Sequence, residues 1–138
     1  MSWRGVSGGI DAASKGFDVI MTPVDYCYLD YCQSDTPENE PISIGHYLPV
    51  EKCYSFNPLE GIPDNASGRI LGVQANLWTE FIGKNEHLEY MLLPRIAAIA
   101  EDGWSSLEDK DYSRFKAAME TVQLPRLSAL GYNYRKFD

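Results

Sequence analysis

RILGVQANLWTEF, residues 69–81, is an apolar run that closes on an indole and a carboxylate two positions apart, Trp78 and Glu80. Its length and its Ile, Leu and Val content suit a strand over 69–78. In a strand, residues i and i+2 project to the same side. Trp78 and Glu80 are therefore expected on one face, at the carboxyl end of a strand. A second stretch repeats the pairing: CYLDY, residues 27–31, sets Tyr28 two positions before Asp30.

The flanking sequence gives these stretches a frame. FDVIMTP (17–23) is β-branched and apolar over a strand's length, and Pro23 ends it. SGGIDAASKG (7–16) reads as a short packed helix stopped by Gly16, and MSWRG (1–5) as the tail of a strand that carries Trp3. Residues 34–67 hold most of the prolines and are expected to be one long surface loop, either functional or anchored by side chains. EHLEYMLLPRIAAIAEDGW (86–104) spaces Leu88, Met91, Leu92, Ile96, Ile99 and Ala100 as a helix would, with Pro94 kinking or splitting it. A last amphipathic run starts at Ser106-x-x-Asp109, contains Pro125 and stops at Gly131.

The order β, α, β, long loop, β, α, α predicts a parallel α/β architecture over residues 1–138. In such sheets the ligand site forms at the carboxyl ends of the strands. That end collects Trp3, Tyr28, Asp30, Trp78 and Glu80.

Composition narrows the partners. At 138 residues and 44% hydrophobic, the chain can bury a real core and is not a disordered segment. Twelve Lys and Arg face 20 Asp and Glu, a net charge of −8 with no basic stripe, so nucleic acid is not an expected partner. No apolar run approaches the roughly 18–20 residues that span a bilayer, and no membrane partner is expected. Residues 1–9 lack the basic and apolar regions of a signal peptide, which leaves the compartment unreadable.

Cys27, Cys32 and Cys53 are odd in number and contain no C-x-x-C pair. A zinc site with His46 is conceivable, but buried thiols are the expectation, with no metal and no cofactor. Glu101, Asp102 and the acidic residues of 108–111 read as solvated helix ends. His46 and His87 read as surface or loop histidines rather than bases.

An aromatic ring beside a carboxylate, twice, at neighbouring strand ends, is what a sugar needs. A pyranose lays its C–H face on a ring, and an ionised carboxylate accepts from its vicinal hydroxyls. The competing reading is that each ring is simply core. Residue types and spacing leave that choice open.

The stretches VIMTPVDYCYLDYCQ, LPVEKCYSFNP and ILGVQANLWTEFI…EYMLLPRIAAIAEDGWS together resemble the C-terminal part of glycoside hydrolase family 20, the β-N-acetylhexosaminidases. The resemblance implies roughly the last three β/α units, the sixth to eighth, of a (β/α)8 barrel. It also implies substrate-assisted retaining hydrolysis of terminal N-acetylhexosamine residues, in which the acetamido oxygen of the substrate is the nucleophile. By the same resemblance Tyr28 binds that oxygen and Asp30 and Glu80 bind sugar hydroxyls. Trp78 walls the pocket, and Trp3 matches the tryptophan at the end of the sixth strand.

The family's general acid belongs to an adjacent Asp-Glu pair on the fourth strand, and no such dipeptide occurs in this sequence. The expectation is an incomplete segment, inactive alone, partnered by the N-terminal part of the barrel or by a copy of itself, with N-acetylhexosamine glycans as ligand. Two alternatives accompany it. One is a two-carboxylate mechanism on Asp30 and Glu80, and the other is a module that binds the sugar without cleaving it.

Overall fold

The computed structural model describes residues 1–137. Its elements are α1 (Ser7–Ser14), β1 (Val19–Met21), α2 (Val24–Cys27), α3 (Val50–Tyr54), β2 (Ile70–Val73), α4 (Asn85–Leu92), α5 (Arg95–Trp104), α6 (Tyr112–Ala118) and α7 (Leu124–Ala129). β1 and β2 pair in parallel, Val19 opposite Ile70 and Met21 opposite Val73. A third parallel segment joins on the other side of β1 through a bridge between Ser2 and Met21. Three neighbouring parallel segments with helices in the connections are what the alternating pattern predicts.

The strands are shorter than the apolar runs that announce them, and one interruption accounts for the difference. After Pro23 the chain makes the helical turn α2 before it returns to the sheet. Pairing then resumes at Tyr28, bridged to Asn76. Leu29 N donates to Asn76 O at 2.7 Å, and Asn76 N donates to Cys27 O at 2.8 Å. The sheet thus runs on irregularly to Tyr28 on one strand and Asn76 on the other. Tyr28 is thus the last paired residue on its strand, while Asp30, Trp78 and Glu80 lie beyond the pairing.

α1 packs on β1 through a glycine: a Cβ at Gly9 would collide with Met21 Sδ. The region 34–67 is not one loop. It contains a short 3-10 turn, Pro37–Asn39, and α3, whose Cys53 and Tyr54 are buried against α5. Five helical residues in a proline-rich stretch are stabilised by that packing and not by their own propensity.

The predicted helix over 86–104 is divided by Pro94 into α4 and α5, as expected of a residue with no amide to donate. α5 buries Arg95, Ala98, Ile99 and Asp102, a face at i, i+3, i+4 and i+7 that includes two charges. Asp102 is therefore not a solvated helix end. Its Oδ1 receives Lys110 Nζ at 2.6 Å, and the same ammonium donates to Tyr54 O at 2.5 Å and Phe56 O at 3.0 Å.

The last helical run starts later than predicted. Ser106 and Asp109 hydrogen bond within a 3-10 turn, and the cap of α6 is Asp111, whose Oδ1 accepts Arg114 N at 3.0 Å. Five residues of wider helix, Met119–Gln123, join α6 to α7. Gly131, at φ 80°, ends it. Cys27, Cys32 and Cys53 are buried free thiols.

Candidate active site

Two segments at the end of the sheet pairing build the site. On the first, Tyr28 keeps an extended backbone at the end of α2, Leu29 plunges into the core, and Asp30 follows with 6% of its surface exposed. On the second, Trp78 and Glu80 lie past β2 in an irregular segment and a turn, both exposed. The i, i+2 argument holds for neither pair as a strand argument, since neither lies inside a strand. Tertiary structure nevertheless gathers the residues: the Tyr28 and Trp78 rings stand 6.4 Å apart, tilted by 47°.

Asp30 is the chemical centre of this cluster. Burial raises its pKa above the ordinary carboxylate value, and the nearby charge of Glu80 raises it further. Its own backbone amide, Arg95 and His46 pull in the opposite direction. Its Oδ1 is buried and has no hydrogen-bond partner among the described residues. A buried carboxylate oxygen without a donor is costly, and a hydroxyl donor from outside the protein would satisfy it.

Trp3 sits on the neighbouring segment, half exposed, with its carbonyl receiving Val24 N at 2.9 Å. The Arg4 guanidinium covers its ring at 4.8 Å. It shares an end of the sheet with the other residues, but the ring contact it makes is to Arg4.

Arg95 and His46 were not among the expected site residues. The Arg95 guanidinium is fully buried beneath Asp30 and donates to four carbonyls: Leu29 at 2.5 Å, Met91 at 2.7 Å, Tyr31 at 2.9 Å and Leu48 at 3.0 Å. Leu29 and Tyr31 flank Asp30, so the guanidinium fixes the backbone on both sides of the acid. Leu48 belongs to the loop that carries His46. The signal for Arg95 was present in LLPRIAAIA, a lone charge within an otherwise apolar stretch. His46 is exposed, as expected, yet its ring packs on Tyr31 at 4.7 Å, at the rim of the site. His87 lies half-buried on α4 rather than on a loop. No group of three or more metal-ligating side chains comes together among the described residues.

Residues 1–107 match the model of the glycosyl hydrolase family 20 catalytic domain. The chain belongs to that family. A β-hexosaminidase of Porphyromonas gingivalis is 43% identical over 136 residues, covering 97% of this chain and 17% of the relative. A crystal structure of a family 20 exo-β-N-acetylglucosaminidase from Vibrio harveyi, in complex with N-acetylglucosamine, superposes with a TM-score of 0.83 at 31% identity. It covers 98% of this chain and 21% of that one. The β-N-acetylhexosaminidase of Streptomyces coelicolor gives a TM-score of 0.80 at 28% identity, over 96% of this chain and 26% of its own. The family 20 chain thus spans about a fifth of the length of the relatives it matches. Its mixed α/β fold is part of a (β/α)8 barrel.

Proposed function

We propose that this family 20 segment forms half of the pocket in which a β-N-acetylhexosaminidase holds a terminal N-acetylhexosamine and hydrolyses it with retention. The observation that carries the reading is Asp30, a buried carboxylate with an unpartnered oxygen in the field of Glu80, two residues after Tyr28, whose ring stands 6.4 Å from that of Trp78. Asp30 and Glu80 accept from hydroxyls of the sugar, and Trp78 covers an apolar face. The Tyr28 hydroxyl donates to the acetamido oxygen while that oxygen attacks the anomeric carbon. Trp3 closes the pocket from the next segment. Orientation of an internal nucleophile supplies much of the rate in such a mechanism.

Protonation of the leaving oxygen needs a carboxylic acid in addition. The adjacent Asp-Glu pair that the family resemblance implies is not among these 138 residues. The segment works, in this proposal, inside a barrel whose remaining strands pair on its two open sides. The surfaces at those sides support it: Met1 and Leu71 are exposed, and an apolar groove of about 330 Å³ runs between Val73, Ile96, Ile99 and Trp104. A closed barrel of this kind takes about 250 residues. Unpaired edges also favour self-association of the chain by itself.

The test is segment exchange. The chain alone should leave a chromogenic N-acetyl-β-glucosaminide intact, because a general acid contributes on the order of 10²–10⁴-fold. Substituted for the matching segment of the Porphyromonas gingivalis relative, it should restore turnover. Hydrolysis by the pure chain, abolished by Glu80→Gln, would favour the two-carboxylate mechanism instead.

A further inference from the structure

Residues 132–137 follow α7 as a tail that the proposed mechanism does not use. The tail runs along α4 in the direction of the helix. Asn133 N donates to Glu89 Oε2 at 2.7 Å, Asn133 Nδ2 to Glu86 O at 2.7 Å, and Arg135 N to Leu93 O at 3.2 Å. Positions 86, 89 and 93 share one face of a helix, so the tail is laid on α4 as a strap.

The strap carries an ion pair. Arg135 Nε donates to Glu40 Oε1 at 3.1 Å, and only 14% and 6% of the two side chains are exposed. Tyr90 OH donates to the other carboxylate oxygen at 2.9 Å. Burial and the Glu40 carboxylate raise the Tyr90 pKa to about 12, which keeps that hydroxyl a donor near neutral pH.

Glu40 stands in the middle of a connection that leaves the site and returns to it. The connection departs at Gln33, three residues after Asp30, where the Gln33 amide donates to Tyr90 O. It comes back at His46 and Leu48: Cys32 N donates to His46 O at 2.8 Å, and Leu48 N to Cys32 O at 2.8 Å. Leu48 O accepts from Arg95, the guanidinium that also holds Leu29 and Tyr31 on either side of Asp30. Between these ends the side-chain bonds of Ser34 and Ser43 are local. Ile42 and Ile44 are 65% and 51% exposed, so apolar packing holds this stretch weakly. Glu40 ties it to α4 and to the strap.

We propose that Arg135, Glu40 and Tyr90 form a clasp that positions the Asp30 side of the sugar pocket, with Arg135 as a positioning residue supplied by the tail. The proposal rests on the reading of that pocket. An open clasp frees the connection, loosens the pairing of Cys32 with Leu48 and lets the backbone at Asp30 drift. A hydroxyl contact to Asp30 is made in ground state and transition state alike, so the loss falls on binding.

The test is Arg135→Met, which removes the charge and keeps the stem. In the chain, amide hydrogen exchange followed by NMR should quicken about tenfold at Cys32 and Leu48. Exchange should be unchanged at Val19 and Gly68, whose amides bond to Arg69 O and Ala13 O. In the segment-exchanged enzyme KM should rise about tenfold with kcat within about twofold. Arg135→Lys, which keeps a cation for Glu40, should restore most of the KM. Should Arg135→Met fail to fold, Tyr90→Phe removes a single hydroxyl and should show the same split at smaller size.

A strap that only stabilises the fold lowers the folded fraction, so kcat falls and KM stays. That result, or unchanged exchange at Cys32 and Leu48, would overturn the proposal. Faster exchange with KM unchanged would overturn the positioning role and leave the pocket standing. Absence of turnover in the exchanged enzyme before any substitution would overturn the pocket, and the positioning role with it.

Discussion

Asp30 and Asp102 are both 6% exposed, and each keeps one oxygen without a hydrogen-bond partner among the described residues. Burial raises the pKa of both, that of Asp102 to about 7. Their company differs. Asp102 faces Lys110, an ammonium that also ties down two carbonyls at the end of α3. Among the described residues no cation hydrogen bonds to Asp30, and the nearby Arg95 directs its hydrogen bonds to backbone carbonyls instead. A buried acid with its own cation is a joint between elements, here α5, α3 and the turn before α6. Asp30 is left open within the field of a second acid, Glu80, and in the proposed pocket that opening is where a ligand hydroxyl enters.

The contrast breaks most visibly at Lys110. Lys110→Met strands a carboxylate and two carbonyls, and should cost about 3–5 kcal/mol in urea unfolding at pH 8. The loss should shrink at pH 5, where Asp102 takes up a proton. An equal cost at both pH values would mean that the pair is not what holds the joint.

A smaller effect follows from Asp102 alone. Its folded-state pKa is raised above the ordinary 3.8 to about 7, so between those values the folded state binds more protons than the unfolded one. Its contribution is whole below the ordinary value and is lost as pH rises through about 7. Stability should therefore fall across that window, and Asp102→Asn should flatten the profile there.

Asp30→Asn should do the reverse of Lys110→Met. It removes a charge that burial and Glu80 both disfavour, so stability should hold within about 1 kcal/mol or rise. Affinity for the methyl glycoside of N-acetylglucosamine should drop about tenfold, the measure of a lost charge-assisted hydrogen bond. A variant that unfolds would make Asp30 a second joint. Tyr28→Phe should be smallest of all in unfolding, within about 0.5 kcal/mol, because the half-buried ring remains.

These two acids also mark how much the sequence disclosed. FDVIMTP and RILGVQANLW announced the parallel strands because β-branched runs bounded by turn residues have few other uses. Tyr28, Asp30, Trp78 and Glu80 were legible as a group through the family resemblance, while the strand geometry offered for them was wrong. The turn α2 is four residues long and leaves no period to read. α3 hid for the same reason, since its stability comes from α5. Arg95 and Asp102 were readable in principle: they sit seven apart on the buried face of α5, where a charge on an apolar stripe signals a buried partner. Pro94 obscured this by shifting the helical phase, so the predicted stripe kept Ile99 but took Ile96 and Ala100 in place of Arg95, Ala98 and Asp102.

The most direct test of the pocket is the rate of the segment-exchanged enzyme with Tyr28→Phe. The substitution removes one hydroxyl and leaves the ring against Trp78. If Tyr28 holds the attacking acetamido oxygen, the interaction strengthens as charge develops, and kcat should fall on the order of 10²–10³-fold with KM little changed. An unchanged kcat in a folded variant would make Tyr28 a packing residue and contradict the assigned pocket.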